Sequence, residues 1–147
     1  MSKNDELLSQ SKNLTVLYVE DEDDTRKQIS GILKLFFKNV YLGSNGFEAL
    51  DVYKEKKDEI DLVISDLTMP RMDGLEMIKE FRKLKDNQHV VVLTAHNSSE
   101  NLMETIDLQI DGFLLKPLKM DKMLELLIKI AHTINLERKE ENVHLKS

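Results

Sequence analysis

With 147 residues, 41% hydrophobic and 33% charged, the chain is long enough to bury one domain core and too apolar to be disordered. A net charge of −6 argues against direct nucleic-acid binding, and the absence of cysteine excludes a disulfide frame and thiol chemistry. No apolar run approaches the ~18 residues of a membrane span, and the N-terminus lacks a signal-peptide stretch, so a cytoplasmic protein without a membrane partner is expected.

Residues 1–12 read as a polar N-terminal extension of mixed charge. The apolar run LTVLYV at 14–19 predicts a first strand, which stops against Glu20 and Asp21. Asp23 and Asp24 then place negative charge in the first turn of a helix, where it suits the helix dipole. Ile29, Ile32, Leu33 and Phe36 form that helix's apolar face at i, i+3, i+4 and i+7. NVYLG at 39–43 predicts a weaker second strand, and Ala49, Leu50 and Tyr53 a short second helix. DLVIS at 61–65 is the third strand, ending against Asp66.

Beyond a turn shaped by Pro70, Asp73 with Glu76 three residues on is a capping pattern. Gly74 serves the turn, and the helix that follows repeats Leu75, Ile78 and Phe81. HVVVLTA at 89–95 predicts the fourth strand, with Thr94 near its end and His96 on the surface beyond. Leu102 or Met103, Ile106 and Ile110 carry a fourth helix. GFLLK at 112–116 predicts the fifth strand and runs into Lys116-Pro117. The last helix carries Met123, Leu127, Ile130 and Ile134 toward a charged end. Residues 137–147 read as a charged tail or as the start of a linker to an output domain, with Leu136 and Val143 seven residues apart. The seven methionines read as core filler.

Three of the five strand runs are apolar at almost every position, the mark of strands covered on both faces. Alternation with amphipathic helices then predicts a doubly wound α/β domain built on a five-stranded parallel sheet flanked by five helices. Sites in such sheets form outside the carboxyl ends of the strands. Adjacent strands lie ~4.8 Å apart, so Glu20, Asp21, Asp66, Thr94 and Lys116 can converge on one shallow crevice. Crowded carboxylates need a cation, and Mg²⁺, held by carboxylates, waters and phosphate oxygens, suits them. Asp66 can then stay ionised and attack phosphorus, with Lys116 and Thr94 binding the oxygens that gain charge.

VLYVEDE, LVISDLTMPRMDG, VVVLTAH and GFLLKPL, each at a strand end, resemble in order and spacing the receiver domain of bacterial two-component response regulators. The resemblance covers about residues 13–136. It implies a flavodoxin-like, chemotaxis-regulator-like sheet in the order 2-1-3-4-5. It implies that Asp66 accepts a phosphoryl group from a sensor histidine kinase or phosphotransfer protein. Asp21, Asp66 and the backbone carbonyl of Thr68 would ligate Mg²⁺, for which Mn²⁺ could substitute, with Glu20 acting through a metal-bound water. Thr94 and Lys116 would hold the phosphoryl oxygens, Phe113 would be the switch aromatic, and Lys116-Pro117 would be cis.

The implied output is a change in the face made by the fourth helix, fifth strand and fifth helix. That face would regulate an effector domain or protein, in the same chain or separate, or form a phosphorylation-linked homodimer. The sequence departs from the family pattern in four places. Glu20 replaces a common Asp, Phe113 lacks the hydroxyl of the common Tyr, Gln109-Ile110 replaces Gly-Ala, and Leu126 and Ile128 stand where the DNA-binding subfamily carries arginines. The competing function is a Mg²⁺-dependent phosphatase with an aspartyl nucleophile, which needs a second Asp where Thr68 stands. The chain is therefore expected to catalyse only its own phosphorylation and dephosphorylation.

Overall fold

The computed structural model describes residues 1–67, 69, 72–95 and 106–146, with side chains to residue 142. Among the described residues the elements follow the order α1 (Lys3–Ser11), β1 (Thr15–Val19), α2 (Asp23–Phe36), β2 (Asn39–Gly43), α3 (Gly46–Lys56), β3 (Leu62–Asp66), α4 (Gly74–Leu84), β4 (His89–Thr94), β5 (Gly112–Leu115) and α5 (Met120–Lys146). The strands form one parallel sheet in the order β2-β1-β3-β4-β5, the doubly wound, flavodoxin-like topology expected. Thr68, Pro70, His96, Leu102 and Met103 lie outside the described residues, and so does most of the helix expected between β4 and β5. Its end is described: Ile106 and Asp107 are helical, and Gln109 takes the left-handed φ of 54° that a glycine would favour.

The central strands are buried throughout because each face of the sheet meets its own core. On one face Val16, Tyr18, Ile64, Leu93 and Leu114 pack against Ile29 and Leu33 of α2 and Leu124, Leu127 and Ile130 of α5. On the other face Leu17, Val19, Val63, Val90 and Val92 pack against Leu50 and Tyr53 of α3 and Met77, Ile78 and Phe81 of α4. Successive strand residues point to opposite faces, so each strand feeds both cores in alternation. Local signals agree with this layout. Asn45 caps α3 by accepting from the Glu48 amide at 2.8 Å, and Asp73 caps α4 by accepting from the Glu76 amide at 2.8 Å.

The N-terminal extension is more structured than its polarity suggests. Ser2 caps α1 through the Asp5 amide, and Leu7 and Ser11, four residues apart, face inward and are fully buried. The Ser11 hydroxyl donates at 2.7 Å to the carbonyls of Leu7 and Phe36, which ties α1 to the end of α2. Asn135 donates to the Gln10 carbonyl at 2.8 Å and Lys3 pairs with Glu125, so α1 lies along α5. One buried leucine and these five side-chain bonds thus make a helix of a segment whose apolar periodicity is too sparse to announce one. At the opposite end of the sheet from Asp66, Arg138 of α5 pairs with Asp61, while His89 bridges Asp111 and Glu137 at 2.8 Å each.

Candidate functional site

The backbone that carries Asp66 is fixed on three sides. Asp66 is the last residue of β3 and pairs in register with Leu93 of β4. The Leu67 amide donates to the Leu93 carbonyl at 3.0 Å and the Gly74 amide to the Leu67 carbonyl at 2.9 Å. A Cβ on Gly74 would come within 2.5 Å of the Asp66 carbonyl oxygen, so the chain returns beneath the aspartate by a path that only glycine can take. Asp66 is 5% exposed, with its carboxylate at the crevice.

Glu20 follows β1 directly, and its amide donates to the Gly43 carbonyl at 3.0 Å, extending the pairing with β2 by one residue. It is 1% exposed, whereas Asp21 beside it is exposed. One carboxylate oxygen from each of Glu20, Asp21 and Asp66 lies within 4.8 Å of the others. Burial, with the neighbouring Asp66 charge second, holds the Glu20 carboxyl well above the usual carboxylate range. An all-oxygen donor set of three clustered carboxylates fits a hard divalent cation such as Mg²⁺.

Lys116 enters from the far side of the sheet. Its amide donates to the Thr94 carbonyl at 2.8 Å and the Lys116-Pro117 peptide is cis. Its Nζ lies 3.1 Å from Asp66 Oδ2 and 3.3 Å from Glu20 Oε1. Burial opposes the lysine's charge, but the Asp66 and Glu20 carboxylates outweigh it and raise its pKa. Thr94 ends β4 half-buried, in register with Leu115. Phe113 on β5 is 46% exposed, so its ring stands outward. The crevice therefore brings the carboxylates of Glu20, Asp21 and Asp66 within 4.8 Å of one another and sets Lys116 against Glu20 and Asp66, while Thr94 ends the intervening strand β4 and Phe113 lies on β5. The Thr68 carbonyl lies outside the described residues.

Two further residues belong to this arrangement. Arg26, in the first turns of α2, donates to the Glu20 carbonyl at 2.9 Å and pairs with Asp23. Tyr18 on β1 is fully buried, and its hydroxyl reaches Glu20 Oε1 at 3.5 Å. Burial first, then the Glu20 and Asp66 carboxylates, raise the Tyr18 pKa, so the phenol stays a proton donor. Inside LTVLYV the tyrosine reads as core. Its parity with Glu20, two residues on along a strand, was the signal that could have found it.

A family model for the response regulator receiver domain matches residues 16–128. The chemotaxis protein CheY of Thermotoga maritima is 32% identical over 117 residues, spanning 79% of this chain and 96% of that protein. The transcriptional regulatory protein ZraR of Klebsiella oxytoca is 32% identical over 123 residues, 83% of this chain, and the match spans only 27% of ZraR's length. Among solved structures, the CheX-CheY-BeF3-Mg complex from Borrelia burgdorferi superposes with a TM-score of 0.77 at 27% identity, covering 88% of this chain and 98% of that one.

Proposed function

The chain belongs to the response regulator receiver domain family of two-component signalling, and from that premise we propose that Asp66 is its phosphoacceptor. Receiver domains are signalling domains and bind Mg²⁺ at an acidic pocket. The observation that carries the assignment is the convergence, from three different strand ends, of Glu20, Asp21 and Asp66 within 4.8 Å of one another, with Lys116 paired to Glu20 and Asp66.

An Asp66 oxygen attacks the phosphorus of a phosphohistidine on a sensor kinase or phosphotransfer protein. The phosphorus–nitrogen bond breaks and the imidazole leaves with its electron pair. Lys116 Nζ, already at Asp66 Oδ2, and the Thr94 hydroxyl hold the equatorial oxygens as they gain charge. Asp21, Asp66 and the Thr68 carbonyl would hold Mg²⁺, or Mn²⁺ in its place, with Glu20 acting through a water, and the ion would supply positive charge to offset the carboxylates and the phosphoryl group. As Thr94 moves to the phosphoryl oxygen it vacates space for the Phe113 ring, which turns inward and alters the face of β5, α5 and the segment between β4 and β5.

That face regulates an effector domain or protein, or a second copy of the chain. The receiver unit is residues 13–136, with residues 137–147 a charged tail or the start of a linker. The chain catalyses only its own phosphorylation and dephosphorylation, since Thr68 offers no carboxyl to protonate a leaving group. Incubation with acetyl phosphate and Mg²⁺ is expected to retard the protein on a Phos-tag gel, and Asp66→Asn is expected to abolish the shift. No shift, or one that survives the substitution, overturns the assignment.

A further inference from the structure

Val16, Tyr18 and Glu20 alternate along one face of β1, and Ile64 and Asp66 continue that face on the neighbouring strand. The Tyr18 ring is set among the apolar side chains of α2 and α5, and its hydroxyl points along the strand toward the carboxylates. A fully buried phenol requires a partner, and Glu20 Oε1, 3.5 Å away, is the acceptor it reaches.

Three donors share the Glu20 carboxylate at long range. Oε1 accepts from Tyr18 and from Lys116 Nζ at 3.3 Å, and Oε2 from the Glu22 amide at 3.4 Å. These donors differ in what they can do next. Lys116 also contacts Asp66, at 3.1 Å, and a phosphoryl group there competes for its ammonium. Once the lysine turns to that group, Glu20 Oε1 loses its charged partner. Tyr18 cannot leave, because its ring is locked in the core.

We infer that Tyr18 is a positioning residue, whose hydroxyl holds Glu20 Oε1 from beneath and keeps the carboxylate aimed at the cation site, both while Lys116 contacts it and after Lys116 is drawn away. The longer arm of a glutamate, compared with an aspartate, has one more torsion to fix, and a donor from inside the core fixes it. This rests on the reading of the crevice as a Mg²⁺ site.

Mg²⁺ titration of the unphosphorylated chain, followed by amide chemical shifts, tests it without any phosphotransfer. Tyr18→Phe keeps the ring and removes only the oxygen. It is expected to weaken Mg²⁺ binding about tenfold, as loss of an outer-shell partner does. The same substitution in a Glu20→Ala background is expected to leave affinity unchanged, because Tyr18 acts only through that carboxylate. A loss below about threefold, or an equal loss in both backgrounds, overturns the role of Tyr18. Failure of the unsubstituted chain to bind Mg²⁺ overturns the functional reading itself, and with it this inference.

Discussion

A residue's contribution here depends on which atoms it brings close and which it keeps out. Gly74 is the sharpest case, because a methyl group there collides with the backbone of both Asp66, at 2.5 Å, and Leu67, at 2.9 Å. Neither neighbour is a flexible side-chain end that can swing away, so the β3 terminus itself must shift. Gly74→Ala is expected to cost about 2–3 kcal/mol in urea unfolding. It is also expected to slow labelling by acetyl phosphate, because the displaced atoms carry Asp66. Equal stability and labelling would show that the loop relaxes freely. Among the strand-end residues, Glu20, Asp21, Asp66 and Lys116 were legible in the sequence only together, because charges that follow several apolar runs of one doubly wound sheet converge outside its strand ends. Tyr18 and Arg26 were not. A tyrosine inside a buried strand is ordinary core, and an arginine in a first helical turn is ordinary surface, until three-dimensional distances place both against Glu20.

At the scale of elements, the parallel sheet was legible from strands apolar on both faces, its order only through the resemblance to receiver domains, and α2 through α4 from their periodicity. The N-terminal helix was not, since in α1 a single Leu7 supplies the large apolar anchor and the remaining attachment is hydrogen bonding that no pattern encodes. Because that anchor is fully buried against α2 and α5, Leu7→Ala is expected to lower stability by about 2–4 kcal/mol in chemical denaturation. A loss under about 0.5 kcal/mol would mean that α1 contributes little to the fold.

Helix α5 is secured at the other end of the sheet, where His89 meets Asp111 and Glu137. The Asp111 bond, resisted by burial and joined by Glu137, raises the His89 pKa from 6.5 to about 9. A group whose pKa is raised by folding stabilises fully below its unfolded pKa and loses that contribution as pH climbs through the folded one. Stability should therefore fall by about 1–3 kcal/mol as pH rises from near 6.5 through about 9. The low end of that range allows for screening of Glu137, which is 54% exposed. Urea midpoints across this window are expected to drop in the unsubstituted chain and to flatten in His89→Gln.

For the molecule as a whole, the sheet separates two tasks. Its carboxyl-terminal edge gathers Glu20, Asp21 and Asp66 at a cost in repulsion, and its amino-terminal edge gathers opposite charges that hold α5. β4 spans both edges, with His89 at one end and Thr94 at the other, a separation of roughly 17 Å at 3.3 Å per residue. No helix among the described residues is long and apolar enough to cross a membrane. A cation that binds only the folded carboxylates stabilises the chain by about 2.7 kcal/mol at a hundredfold excess over its dissociation constant. Mg²⁺ is expected to raise the thermal midpoint accordingly, and Asp21→Asn to remove most of that rise. His89→Gln is expected to lower the midpoint at pH 6.5 while leaving the Mg²⁺ increment unchanged, because sites this far apart without shared partners add within about 0.5 kcal/mol. A larger coupling would mean that β4 or α5 has two arrangements which both edges bias, and the charged latch on α5 would then belong to the signalling switch as well as to the scaffold.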